Sequence, residues 1–226
     1  MGKQLSEMTL GIIHASHLTI PTVKIYAGKY IPEVTIMHFC DDTVQRDNIA
    51  AKPGTIPKVN YYKFAQYAHN LEAAGVDLIM LVCSTFNYAA ELARPLINVQ
   101  IAQIDRPMME LAVKTGKKIG IMATLPTTVP SSERLLKLAA AEAGVDVEIN
   151  TVVCEEAFAE FAKGNIAGHN ELLLNAVHGL TKKTDCVVMA QLSMSSLAPE
   201  LKNTASPVYN SGDTGFARVR EMLEQL

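Results

Sequence analysis

A cysteine followed by two hydroxyls, Cys83-Ser84-Thr85, stands directly after the apolar run Leu78-Ile79-Met80-Leu81-Val82. That run reads as a strand buried on both faces of a parallel sheet. The residues after it, Phe86 to Arg94, read as a helix that stops before Pro95. The thiol is thereby placed at the carboxyl end of a strand and the amino end of a helix, where open α/β sheets bind ligands. Free backbone N–H groups at such a place favour anions and are expected to lower a thiol pKa. A thiol there can donate a proton, accept one or attack as a nucleophile. Further hydroxyls fall at other expected strand ends: Ser16, Thr124 with Thr127 and Thr128, and Ser193 beside Leu192. Short hydroxyls and helix-start N–H groups suit a small carboxylate or an enolate-like oxyanion.

Competing chemistries have less behind them. No Walker or GxGxxG motif supports nucleotide binding, and no GxSxG elbow supports a serine hydrolase. His14-x-x-His17 lacks a third ligand, so no metal site is expected. Adjacent Asp41 and Asp42 point apart on extended chain and read as a solvated loop.

Around these residues the chain repeats itself. An Asp, an apolar run and a polar residue six positions on occur at Asp77 to Cys83 and again at Asp185 to Gln191. Gly11-Ile12-Ile13-His14 likewise resembles Gly120-Ile121-Met122-Ala123. The two Asp lie 108 apart and the two Gly 109 apart, nearly one shift. The expected fold is therefore α/β: two pseudo-symmetric Rossmann-like lobes with parallel sheets and a central cleft. Residues 1–104 plus 206–226 are assigned to the first lobe and 105–205 to the second. A long loop follows the strand at Thr9–His14, Asp105 is expected to cap a helix, and Ser131 or Ser132 the next one.

Bulk properties narrow the class. The chain has 226 residues, 49% hydrophobic and 19% charged, with net charge −3. This is a globular balance that gives no reason to expect nucleic acid or an anionic membrane as partner. Four widely spaced cysteines without a CxxC pair suggest neither disulfides nor zinc. With no signal-peptide core and no bilayer-length apolar run, a reducing cytoplasm is the expected location. Whether the chain forms a homo-oligomer is left open.

Taken together these residues resemble the aspartate/glutamate racemase superfamily, which includes hydantoin racemases, maleate isomerase and arylmalonate decarboxylase. The carriers are Gly11 to Ala15, Val82 to Thr85, Gly120 to Thr128 and the duplicated Asp185-to-Gln191 strand. The resemblance implies two lobes with substrate between them and no cofactor. It places a catalytic cysteine at Cys83 and carboxylate-binding hydroxyls at Ser84, Thr85 and Thr124 to Thr128. The second lobe's cysteine is replaced by Gln191, and glutamine cannot transfer a proton, so the chain is one base short of a two-base racemase. His14 is a candidate second acid/base. The expectation is a cofactor-independent isomerase, racemase or lyase acting on a small carboxylate. A silent small-acid binding protein and a cysteine-nucleophile hydrolase are the alternatives.

Overall fold

Leu78, Ile79, Met80 and Leu81 are all fully buried, as a strand covered by helices on both faces must be. The computed structural model describes residues 2–52 and 55–226; Pro53 and Gly54, expected in a loop, lie outside the described residues. Two four-stranded parallel sheets organise the fold. The first is ordered β2-β1-β3-β4, from β1 (Thr9–His14), β2 (Thr35–Cys40), β3 (Leu78–Leu81) and β4 (Ile101–Gln103). The second is ordered β6-β5-β7-β8, from β5 (Lys118–Ala123), β6 (Glu148–Val153), β7 (Cys186–Met189) and β8 (Val208–Asn210).

The internal repeat is visible in the strand register. Leu10 faces Leu78 across β1 and β3, and Ile119 faces Cys186 across β5 and β7. The repeated aspartates have one job. Asp77 accepts the Thr9 N–H at 2.8 Å, and Asp185 accepts those of Lys117 and Lys118 at 2.8 Å each. Each carboxylate ties the start of one central strand to its neighbour.

Two helices were not legible as such. The expected long loop after β1 is α1 (Ile20–Tyr30), with Pro21 in its first turn where a missing N–H costs nothing. The acidic pair is the start of α2 (Asp42–Ala50): Asp41 caps it through the Thr43 N–H, so it is not a free loop. The helices α3 (Lys58–Ala73), α4 (Tyr88–Ala93), α5 (Arg106–Thr115), α6 (Val129–Ala143), α7 (Glu155–Ala162) and α8 (Ile166–Thr181) follow. In α6 the expected serine caps fail, because the helix already begins at Val129 and neither Ser131 nor Ser132 caps it.

The return to the first sheet comes later than Ser206. Strand β8 pairs with β7 in the second sheet, and only α9 (Ser211–Glu224) crosses back. Its Phe216, Val219 and Leu223 are fully buried with Leu10, Ile12 and Val23, each contributing about 1.5–3 kcal/mol. In the same way α5, which follows β4, buries Met108, Met109 and Ala112 against Ile119, Ile121 and Val188 of the second sheet. Each sheet is thus covered by a helix that follows the other sheet's last strand.

Candidate active site

In each sheet the chain changes direction between its two central strands, and the carboxyl ends of such strands leave a crevice for ligand. Here β1, β3, β5 and β7 all end in short 3-10 turns: His17–Thr19, Ser84–Phe86, Pro126–Thr128 and Leu192–Leu197. Ser16, Cys83, Leu125 and Gln191 precede these turns. The four ends enclose a cavity of about 100 Å³. Among the expected residues, Ser16, Cys83, Ser84, Thr85, Thr124, Thr128, Gln191, Leu192 and Ser193 line it, whereas His14 and Thr127 do not. No Lys, Arg, Asp or Glu lies among the described lining residues.

Burial pushes the Cys83 thiol up to about 12; Asp105 adds to this, and the Phe86 and Thr85 N–H groups oppose it. The expected lowered thiol pKa is therefore reversed. A three-residue 3-10 turn supplies little dipole, and desolvation of the buried thiol outweighs it. At neutral pH Cys83 is a thiol, and a thiol is a proton donor. Asp105 does not cap α5 as expected. It lies fully buried and accepts the Asn87 amide at 2.9 Å, and burial holds its carboxyl above the usual range.

Gln191 occupies in the second lobe the position that Cys83 holds in the first. Its Oε1 accepts the Thr124 N–H at 2.6 Å and the Thr124 hydroxyl at 2.9 Å. Both bonds orient the amide, and Nε2 has no partner among the described residues. The Thr124 proton is committed to Gln191, so that hydroxyl is not a donor for a bound carboxylate. Thr85 and Thr128 bridge the two lobes through their hydroxyls at 3.0 Å. One proton of that pair joins the two oxygens; the other remains for a ligand.

His14 is held away from the cavity, 1% exposed, with Nδ1 2.7 Å from Thr19 Oγ1 and Nε2 2.9 Å from His38. Burial, then the neighbouring His38, lowers it to about 4. His14 is thus not placed as the second acid/base. His17 diverges from it and pairs with Asp42 at 2.8 Å on the surface.

Six lining residues had no sequence signal: Leu18, Thr19, Gln45, Phe158, Phe161 and His169. Gln45 sits on α2, which was not recognised, and His169 is one polar residue in the largely apolar α8. His169 is 4% exposed and its Nδ1 lies 2.7 Å from the Ala157 carbonyl. A carbonyl only accepts, so Nδ1 carries the proton and Nε2 is the nitrogen available for exchange.

A family model described as Asp/Glu/Hydantoin racemase matches residues 28–219. No curated protein matches the chain. Among solved structures, a putative Asp/Glu racemase from Yersinia pestis superposes with TM-score 0.73 at 15% identity, covering 96% of this chain and all of that one (100%). A glutamate racemase from Bacillus anthracis gives 0.71 at 14% identity, over 97% of this chain and 83% of that one. An allantoin racemase from Klebsiella pneumoniae gives 0.68 at 17% identity, over 97% and 87%. At these identities the likeness is one of fold, and the family match over most of the chain adds the rest. The chain belongs to the Asp/Glu/hydantoin racemase family.

Proposed function

We propose that the chain is an isomerase or racemase that moves a proton at the α-carbon of a small carboxylate, using one thiol and one imidazole. The observation that carries this reading is a buried Cys83, its pKa raised by that burial, sharing a cavity with His169 from the other lobe. His169 Nε2 takes the α-proton, and the electron pair passes to the carboxylate as an enediolate. Its oxygens face the Thr85–Thr128 pair, Ser84, Ser193 and the free Gln191 amide, which together stabilise the charge. The Cys83 thiol then gives its proton to the carbon, leaving a thiolate and an imidazolium that reset through solvent. Charge balances at each step, and the two groups reach the cavity from different lobes.

Membership of the Asp/Glu/hydantoin racemase family, and a fold shared with glutamate and allantoin racemases, support this reading. The size of the cavity supports a compact substrate, since an apolar cavity of about 150 Å³ holds a benzene ring. A wall without Lys or Arg favours a single carboxylate held by hydroxyls and amides. A lyase, in which CO₂ leaves and Cys83 protonates the resulting carbanion, uses the same thiol and needs no second thiol at Gln191. The thiol's high pKa weighs against a nucleophilic hydrolase, because the nucleophile is the thiolate.

Proton NMR of a panel of small chiral carboxylates incubated in D₂O tests the proposal. The wild type should exchange the α-proton of at least one, and Cys83→Ser and His169→Gln should each slow that exchange by about 10²-fold or more. Undiminished exchange in either folded variant, or none across the panel with the wild type, overturns it.

A further inference from the structure

Strands β1 and β2 bring two histidines together behind the cavity wall. The His14 and His38 rings lie 5.0 Å apart, His14 Nε2 is 2.9 Å from His38 Nδ1, and His14 Nδ1 is 2.7 Å from Thr19 Oγ1. The Thr19 hydroxyl in turn donates to the Ser16 carbonyl at 2.9 Å.

One carbonyl fixes the direction of every bond in this chain. Ser16 O can only accept, so the single Thr19 proton is on that bond. The Thr19 oxygen must therefore accept from His14 Nδ1–H. A neutral imidazole carries one proton, so His14 Nε2 is bare and accepts from His38 Nδ1–H. Burial of His14 and its lowered pKa keep that ring neutral. What remains on Thr19 is one lone pair, and Thr19 lines the cavity.

We propose that Thr19 reads a hydrogen-bond donor, an N–H or O–H on the substrate's α-carbon, and that His14 and His38 are positioning residues that lock its hydroxyl as an acceptor. The proposal rests on the reading of the cavity as a small-carboxylate site. It divides the labour within that site: the hydroxyl pair, the serines and the Gln191 amide face the carboxylate, and Thr19 faces the α-substituent. A carboxylate oxygen presented to Thr19 would meet an acceptor and be repelled.

Three probes separate these roles: lactate, which has the α-O–H; 2-methoxypropionate, which has it capped; and propionate, which lacks the oxygen. Calorimetric titration of the wild type should give lactate about 10-fold or more tighter binding than either of the others, since an unpaired acceptor is costly. Thr19→Val, which removes the acceptor, should bring that preference below about 2-fold. His38→Leu, which removes the donor to His14 Nε2, should shrink the preference with Thr19 still present, an effect that a merely structural role would not single out. Independently of any ligand, ¹⁵N-edited NMR should find the Nδ1–H tautomer at both His14 and His38.

Equal binding of lactate and propionate by the wild type, or a preference that survives Thr19→Val, overturns the role of Thr19 and leaves the carboxylate site standing. An Nε2–H tautomer at His14 overturns the lock. Binding of none of the three probes overturns the site and the inference with it.

Discussion

Alkylation of Cys83 tests the electrostatics of the cavity directly. The thiol is held up at about 12, so at pH 8 about one molecule in 10⁴ carries the thiolate. An ordinary cysteine near 8.5 is about a quarter ionised at that pH, which makes Cys83 roughly 2,000-fold poorer in the reactive form. Its 9% exposure slows reagent access further. Cys40 is exposed, and although burial and the nearby Asp42 and Asp41 raise its pKa, reagent reaches it freely. Peptide mapping after timed iodoacetamide treatment should therefore find Cys40 modified first. Cys83 should lag by orders of magnitude and gain about tenfold in rate per pH unit up to at least pH 10.5. Labelling of Cys83 ahead of Cys40 at pH 7.5, or a rate plateau below pH 9, would refute the argument that burial dominates the turn's N–H groups.

Acid should weaken the fold through His14, whose folded pKa of about 4 lies below the ordinary 6.5. The neutral ring stabilises the native state fully above pH 6.5, and about 3 kcal/mol of that is lost as pH falls through 4. Urea midpoints of wild type and His14→Asn should converge over that window; a constant gap between them rules the effect out. Gly120→Ala puts a methyl 2.7 Å from Leu180 Cγ and 3.1 Å from Val187, an overpacking that should cost about 1–3 kcal/mol. Gly179→Ala in α8 meets nothing within 4 Å and should instead stabilise by about 0.5–1 kcal/mol in the same urea assay. Gln191→Leu removes the amide that faces the enediolate and should slow α-proton exchange in D₂O by about 10²-fold. An unchanged exchange rate in a folded mutant counts against the place of that amide in the oxyanion cage.

The strand ends were legible in the sequence because a parallel strand buried on both faces is a continuous apolar run, and its last residue is where the run breaks. Cys83 and Gln191 were found that way, and the 108-residue spacing of Asp77 and Asp185 tied them together. The helices α1 and α2 escaped because their apolar periodicity is weak and Pro21 and the Asp pair read as loop markers. Residues that reach the cavity from a helix side, such as His169 and Gln45, escaped for a different reason. Which face of α8 meets the cavity depends on how α7 and α8 stack, a tertiary fact with no local pattern. The direction of the Cys83 pKa also depended on tertiary closure. The N–H groups that favour a thiolate are local to the turn, whereas the burial that opposes them comes from a cluster whose members, such as Val44 and Phe64, lie far from Cys83 in sequence.

The exchange of covering helices has a consequence for how the protein is made. On a ribosome the first sheet is complete once β4 has emerged, and α1 can already cover part of the face around Leu10 and Ile12, yet that cover is finished only when Ser211–Glu224 is synthesised and Phe216, Val219 and Leu223 dock. The second sheet has α5 in hand before its strands exist and can close as it appears. The earlier half of the polypeptide is therefore the later one to finish, and over roughly one hundred codons, at about 5–20 residues per second, part of its apolar face remains exposed.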